Sequence, residues 1–139
     1  MSVAPETAIH AALMARVETL STSLPISYPG VTFDAPDGDY IRVTHMRNEA
    51  DRRTLDGAYG LRRQGILQLD LFTRVTAGSY QVIADGIAEE IAEHFPRDLP
   101  LTNSGHKVAI YATTILEGRR DPDIQMWHTP IRVDYRGVA

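Results

Sequence analysis

Residues 40 to 73 constrain this chain most, because they hold two runs of apolar–polar alternation joined by a long polar segment. Tyr40-Ile41-Arg42-Val43-Thr44-His45-Met46 alternates with a period of two. Gly65-Ile66-Leu67-Gln68-Leu69-Asp70-Leu71-Phe72-Thr73 does the same over a longer run. That period belongs to strands with one buried face. Between them, Arg47 to Gly60 carries Arg47, Glu49, Asp51, Arg52, Arg53 and Asp56. Adjacent strands in a small domain need only a few residues to connect them. A segment this long and this charged therefore reads as either disordered or built to meet another chain.

The rest of the pattern places helices and strands around this pair. Pro5 suits the first turn of a helix and Glu6 suits its partial positive charge. Ile9, Leu13, Val17, Leu20 and Leu24 then recur at helical spacing. Residues 25 to 39 are rich in proline and glycine and read as an extended loop, interrupted by a short strand around Val31-Thr32-Phe33. Gly65 marks a bulge or kink in the second long strand. A second helix starts near Ser79, with Val82, Ile83, Ile87, Ile91 and Phe95 as its apolar face, and ends at Pro96. Strands follow from Val108 to Leu116 and from Ile124 to Tyr135, separated by the turn-rich Glu117–Asp123. Trp127, Ile131, Val133 and Tyr135 share one face of the last strand by parity. The expected architecture is α+β: a mostly antiparallel sheet of about four to five strands with two helices packed on one face. At 139 residues, 1–139 reads as a single domain.

Composition narrows the function classes. No cysteine is present, so thiol nucleophiles, thiolate metal sites and disulfides are excluded. The net charge of −4 disfavours a dedicated nucleic-acid binder, whose footprint is basic. The N-terminus has no basic region followed by an apolar run, and no apolar run reaches membrane-spanning length. A soluble intracellular product without membrane contact is the expectation.

No set of residues declares a catalyst. Asp34, Asp37 and Asp39 lack the spacing of a calcium loop and fit turns instead. His10, His45, His94, His106 and His128 have no short ligand spacing, so no metal site is expected. Ser79 lacks the flanks of a nucleophile elbow and suits a helix cap. Gly57 and Gly60 have neither the lysine nor the strand–helix context of a phosphate loop. Glu89 and Glu90 are adjacent on a helix and point apart. No catalytic residue, metal or other cofactor is assigned. One enzymatic alternative stays open, in which His45, His128 and Asp70 meet on neighbouring strands. Three Arg pairs occur, 52–53, 62–63 and 119–120; Glu49 and Asp51 lie beside Arg52, and Asp121 and Asp123 beside Arg120, and this mixing of signs favours a protein partner over nucleic acid. Trp127, Tyr59 and Tyr111 fit either core packing or an interface.

Taken together, these features resemble the tail terminator-like proteins of long-tailed bacteriophages and prophages. The likeness rests on the amphipathic first helix (Ile9, Leu13, Val17, Leu20) and the proline-rich passage from Leu24-Pro25 through Pro36. It continues through Tyr40-Ile41-Arg42-Val43, the polar loop Arg47–Gly60 and Gly65–Phe72. The second helix (Tyr80–Phe95) and Trp127–Tyr135 complete it. The resemblance implies a structural assembly protein rather than an enzyme. It implies a homo-oligomeric ring, typically of six copies, that caps the tail tube and stops its polymerisation. The same ring would offer the surface for head joining. Its partners would be the tail tube protein and a head–tail connector protein, with DNA only passing through the lumen. Its place would be the virion tail, assembled in the host bacterial cytoplasm. By loop position, the interface residues are Arg47, Arg52, Arg53, Asp56 and Tyr59 in the long segment, and Arg119, Arg120 and Asp121 in the later hairpin. The alternatives are a tail tube or head–tail joining protein, and a binding domain that takes a peptide on a sheet edge.

Overall fold

A computed structural model describes residues 5–21, 24–32, 38–47, 51–52, 61–74, 80–121 and 126–138. Chain order runs α1 (Pro5–Glu18), β1 (Ile26–Ser27), β2 (Tyr40–Arg47), β3 (Asp51–Arg52), β4 (Leu61–Arg74) and α2 (Tyr80–Glu93). It closes with β5 (Pro100–Asn103), β6 (His106–Ile115), β7 (Arg119–Asp121) and β8 (Met126–Val138).

Among the described residues, the strands form one eight-stranded sheet in the order β1-β2-β4-β8-β6-β5, with β3 added to β4 and β7 added to β8. This overturns the expected α+β domain with four to five mostly antiparallel strands. The protein is mostly β, and its sheet is mixed and curled like part of a barrel. Two physical causes explain the miss. The strands β1, β3 and β7 are only two or three residues long, too short to show a period. The pairing Ile26↔Ile41 is parallel, which alternation along either strand does not reveal. Of the short strand expected around Val31-Thr32-Phe33, Val31 and Thr32 lie outside any strand, and Phe33 lies outside the described residues.

Four long strands carry the architecture. β4 pairs along its length with β8, from Arg62↔Val138 to Arg74↔Met126. On its other side β4 pairs with β2, from Tyr40↔Phe72 to Arg47↔Gly65. The register runs unbroken through Gly65, so the expected bulge is absent there; the irregularity falls in β6, between Ile110 and Ala112. Gly65 has a different reason to be glycine. A Cβ there would lie 2.5 Å from the Tyr135 hydroxyl and 2.7 Å from the Met46 carbonyl oxygen.

One hydrophobic cluster joins both helices to the sheet. From α1 come Ile9, Leu13 and Val17; from α2 come Ala88 and Ile91, followed by Phe95. The sheet contributes Ile41, Val43, Leu67, Leu69, Leu71, Ile131, Val133 and Tyr135. All of these strand residues are odd-numbered, as a period of two requires when one face is buried. The apolar face expected for α2 is shifted, however. Ala84, Ala88 and Ile91 are buried, whereas Val82 and Ile83 are 72% and 54% exposed.

Candidate functional site

At one end of the sheet, α1 meets the last residues of β2 and the early part of β4. The Glu6 carboxylate sits between two guanidinium groups, in a close ion pair with Arg63 and 3.4 Å from Arg47. One turn further along α1, His10 Nδ1 lies 2.8 Å from His45 Nδ1, and His45 Nε2 lies 2.6 Å from the Tyr135 hydroxyl. Two neutral imidazoles satisfy this chain when Tyr135 donates to His45 Nε2 and His45 Nδ1–H donates to His10 Nδ1. Burial, then the neighbouring His10 and Arg47, pushes the His45 pKa down to about 4. Burial and Arg47 lower that of His10 as well. Burial, reinforced by Glu6, raises Tyr135 to about 12. The result is a tight, uncharged linkage that fixes α1 to the sheet beside a charged triad.

The opposite end of the sheet holds β7 and the start of β8. Arg119 pairs with His128, Arg120 with Trp127 and Asp121 with Met126. Arg119 and Arg120 are exposed, Asp121 is half-buried, and together with His128 they line a depression of about 290 Å³. His128 Nε2 donates to Asp70 Oδ1 at 2.7 Å, and Gln68 donates to the same oxygen at 2.8 Å. Arg42 approaches the other carboxylate oxygen at 3.5 Å. Burial alone would raise the Asp70 pKa, but the hydrogen bonds from His128 and Gln68 and the charges of His128 and Arg42 outweigh it and hold it below the ordinary carboxylate value. Tyr40, Phe72 and His128 stack across three strands, with ring centroids 4.8 and 4.7 Å apart. These contacts pin the solvent-side face of the sheet and leave the Asp70 carboxylate fully engaged.

His45, His128 and Asp70 do not converge. His45 is odd-numbered and faces α1, whereas Asp70 and His128 are even-numbered and lie on the other face. The enzymatic alternative built on those three side chains falls with that geometry. Among the described residues, no group of three or more His, Cys, Asp or Glu could hold a metal. Asp39 accepts the Arg74 N–H at 2.9 Å, a long-range contact to β4 rather than the local turn bond expected of it, while Asp34 and Asp37 lie outside the described residues.

The sequence-derived interface residues fall into two groups that the fold keeps apart. Arg47 closes β2, and Arg52 sits in β3 opposite Leu61. Arg53, Asp56 and Tyr59 lie outside the described residues. Arg119, Arg120 and Asp121 form β7 rather than the turn expected there. Arg47 aligns through Gly65 with Tyr135, and Arg119 aligns with His128. Seven residues of β8 thus separate the groups, about 23 Å at roughly 3.3 Å per residue.

A third surface escaped the sequence reading. Between α2 and the β6–β7 junction runs a groove of about 590 Å³ lined by Asp85, Glu89, Ile115, Leu116, Glu117, Gly118 and Trp127. Gly118 shapes it, because a Cβ there would overlap the Trp127 ring. The signal was present in the composition of α2, whose residues 80–93 hold four acids and no base.

Comparison with known proteins adds three findings. The family model described as phage tail terminator protein matches residues 8–135. One solved structure, whose name describes no function, superposes with a TM-score of 0.72 at 20% identity, covering 96% of this chain and 93% of its own. A chain from the virion of a native gene transfer agent particle superposes with a TM-score of 0.63 at 16% identity, covering 99% and 100%. No curated protein matches.

Proposed function

The chain belongs to the phage tail terminator protein family, and we propose that it closes into a ring that caps a tail tube and halts its growth. The family is a structural one of the phage tail, which gives the chain its class. The finer reading covers the ring, the cap and the surface offered for head joining. The observation that carries it is the placement of two charged groups at opposite ends of one long sheet. Unlike surfaces at two ends suit head-to-tail contacts, and such contacts close into a ring when the rotation per copy divides a full turn.

Capping follows from the same asymmetry. A tube grows because each ring offers an edge complementary to the next. A terminator matches that edge with one face and presents a mismatched face beyond it, and specificity of this kind depends on mismatch as much as on match. On this reading Arg47, Arg52, Arg53, Asp56 and Tyr59 meet a neighbouring copy or the tube. Arg119, Arg120 and Asp121 meet another copy or the head–tail connector. Six copies, a lumen that DNA traverses and assembly in the host cytoplasm belong to the same proposal.

The test is tube growth in the presence of the chain. Purified tail tube subunits are polymerised with and without it, and tube lengths are measured by negative-stain imaging. The account predicts shorter tubes with extra density at one end. Unchanged lengths with no end density contradict capping, and co-polymerisation of the chain along the tube would reassign it as a tube protein.

A further inference from the structure

We propose that α2 and the bare edge of β6 form a groove that takes an extended, basic segment of another protein as an added strand. This goes beyond the ring reading and does not depend on it. β5 covers the edge of β6 only along residues 106–109, and the cover ends at Ile110, whose N–H and carbonyl bond to Leu99 and Asp98. Beyond Ile110, no strand among the described residues pairs with β6 on the side away from β8. Leu116 N–H donates to the Pro130 carbonyl of β8 at 2.9 Å. Alternation along the strand therefore turns the backbone groups of Ile115 and Thr113 away from β8. Such an edge is a template for another strand.

α2 runs beside this edge and sets the chemistry of what can lie there. Asp85 and Glu89 line the groove with Ile115, Leu116 and Trp127. Glu93 lines a second depression of about 570 Å³ with Pro96, Ala112 and Thr113. The two depressions follow one another along β6 and make one trough. Asp85, Glu89 and Glu93 are four residues apart on one stripe of α2, about 6 Å from each to the next. Alternate side chains of an extended strand stand about 6.7 Å apart. A strand with bases at alternate positions thus meets the three carboxylates in step. None of the three, nor Glu117 on the other wall, forms an ion pair among the described residues. Like charges at that helical spacing repel one another until a cation lies between them. Among the described lining residues Arg97 is the only base, and it lies 4.0 Å from Asp98. Ile115 and Leu116 are exposed and offer apolar contact to the residues between the bases. Beside Gly118, the Thr129 hydroxyl is wholly buried with no hydrogen-bond partner, a polar group the folded chain leaves unmet at the groove wall. Another protein fits better than a second copy, because every described strand of this chain is already paired in its own sheet and the chain is acidic overall.

The probe is a capped synthetic peptide of alternating arginine and valine, titrated into the full chain. Trp127 is the only tryptophan and lines the groove, so its fluorescence reports occupancy. Amide hydrogen exchange at Thr113 and Ile115 reports strand pairing. The peptide is expected to shift the fluorescence and slow both amides. Its fully N-methylated form, with the same charge and no backbone donors, and its glutamate–valine counterpart are expected to do neither. Asp85→Lys with Glu89→Lys is expected to weaken the arginine peptide roughly tenfold and to gain the glutamate peptide, a gain that a misfolded variant does not show. Equal binding by the methylated form reduces the contact to charge alone and overturns the added strand. No binding by the arginine peptide overturns the proposal outright. Slow exchange of both amides in assembled wild type without peptide assigns the groove to a second copy and also overturns it. Sedimentation velocity on the same wild-type samples reads the ring separately, so none of these outcomes removes the ring reading.

Discussion

His45 shows how a single residue ties the fold to solution conditions. Its imidazole is held neutral between His10 and Tyr135, with its pKa pushed down from 6.5 to about 4, mainly by burial. The unfolded chain therefore takes up a proton at higher pH than the folded one. Stability is complete above about 6.5, falls as pH drops toward 4, and levels off below that for this group. The lowered pKa of Asp70 adds a loss in the same direction below the ordinary carboxylate range. Thermal unfolding measured from pH 7.5 to 4 is expected to show a falling Tm, and His45→Gln is expected to flatten the slope across that window. Gly65→Ala drives a methyl group into the Tyr135 hydroxyl and the Met46 carbonyl, and should cost about 1–3 kcal/mol in denaturant unfolding. A result within 0.5 kcal/mol of wild type would show that Tyr135 can move aside. Little of this was legible beforehand. Alternation puts Asp70 on the face opposite Leu67, Leu69 and Leu71, and it lies there. Its near-complete burial under His128, Gln68 and Arg42 depends on side chains from three strands, which sequence spacing does not reveal.

At the scale of elements, the long strands were readable and the short ones were not. β2, β4, β6 and β8 each run long enough for alternation to show, and β8 keeps Ile131, Val133 and Tyr135 on its buried side as parity required. β5 left a different signal, in the turn that follows it. Asn103 pairs with His106 around Ser104-Gly105, both with positive φ, which is the two-residue hairpin turn that glycine favours. α2 was placed correctly, and Ile87, Ile91 and Phe95 of its expected apolar face pack on the core, but Val82 and Ile83 do not. Hydrophobicity ranks Val82 and Ile83 above Ala84 and Ala88, yet small side chains allow the closer approach of helix to sheet, and the alanines are the ones buried. Two substitutions separate the readings. Ile91→Ala is expected to cost about 2–5 kcal/mol, because it empties a site with no exposure. Val82→Ala should change stability by less than about 0.5 kcal/mol. Comparable losses at both positions in chemical denaturation would contradict the observed orientation of α2.

For the whole molecule, the long β4–β8 pair acts as a spar that holds unlike surfaces far apart. The α1 end is organised by Glu6, Arg47 and Arg63, and the far end by β7 and the stacked Tyr40, Phe72 and His128. The charged segments were visible as sequence, but their separation was not, because it depends on the β4–β8 register. If copies join through such ends, as the proposed ring requires, assembly should weaken as ionic strength rises from roughly 0.1 to 1 M and the screening length shrinks from about 10 to 3 Å. The most direct test of the central claim is native mass across a concentration series, with negative-stain imaging of the heaviest species. The account predicts one closed ring of fixed copy number that never extends, whereas open filaments, or a monomer at every concentration, would contradict it.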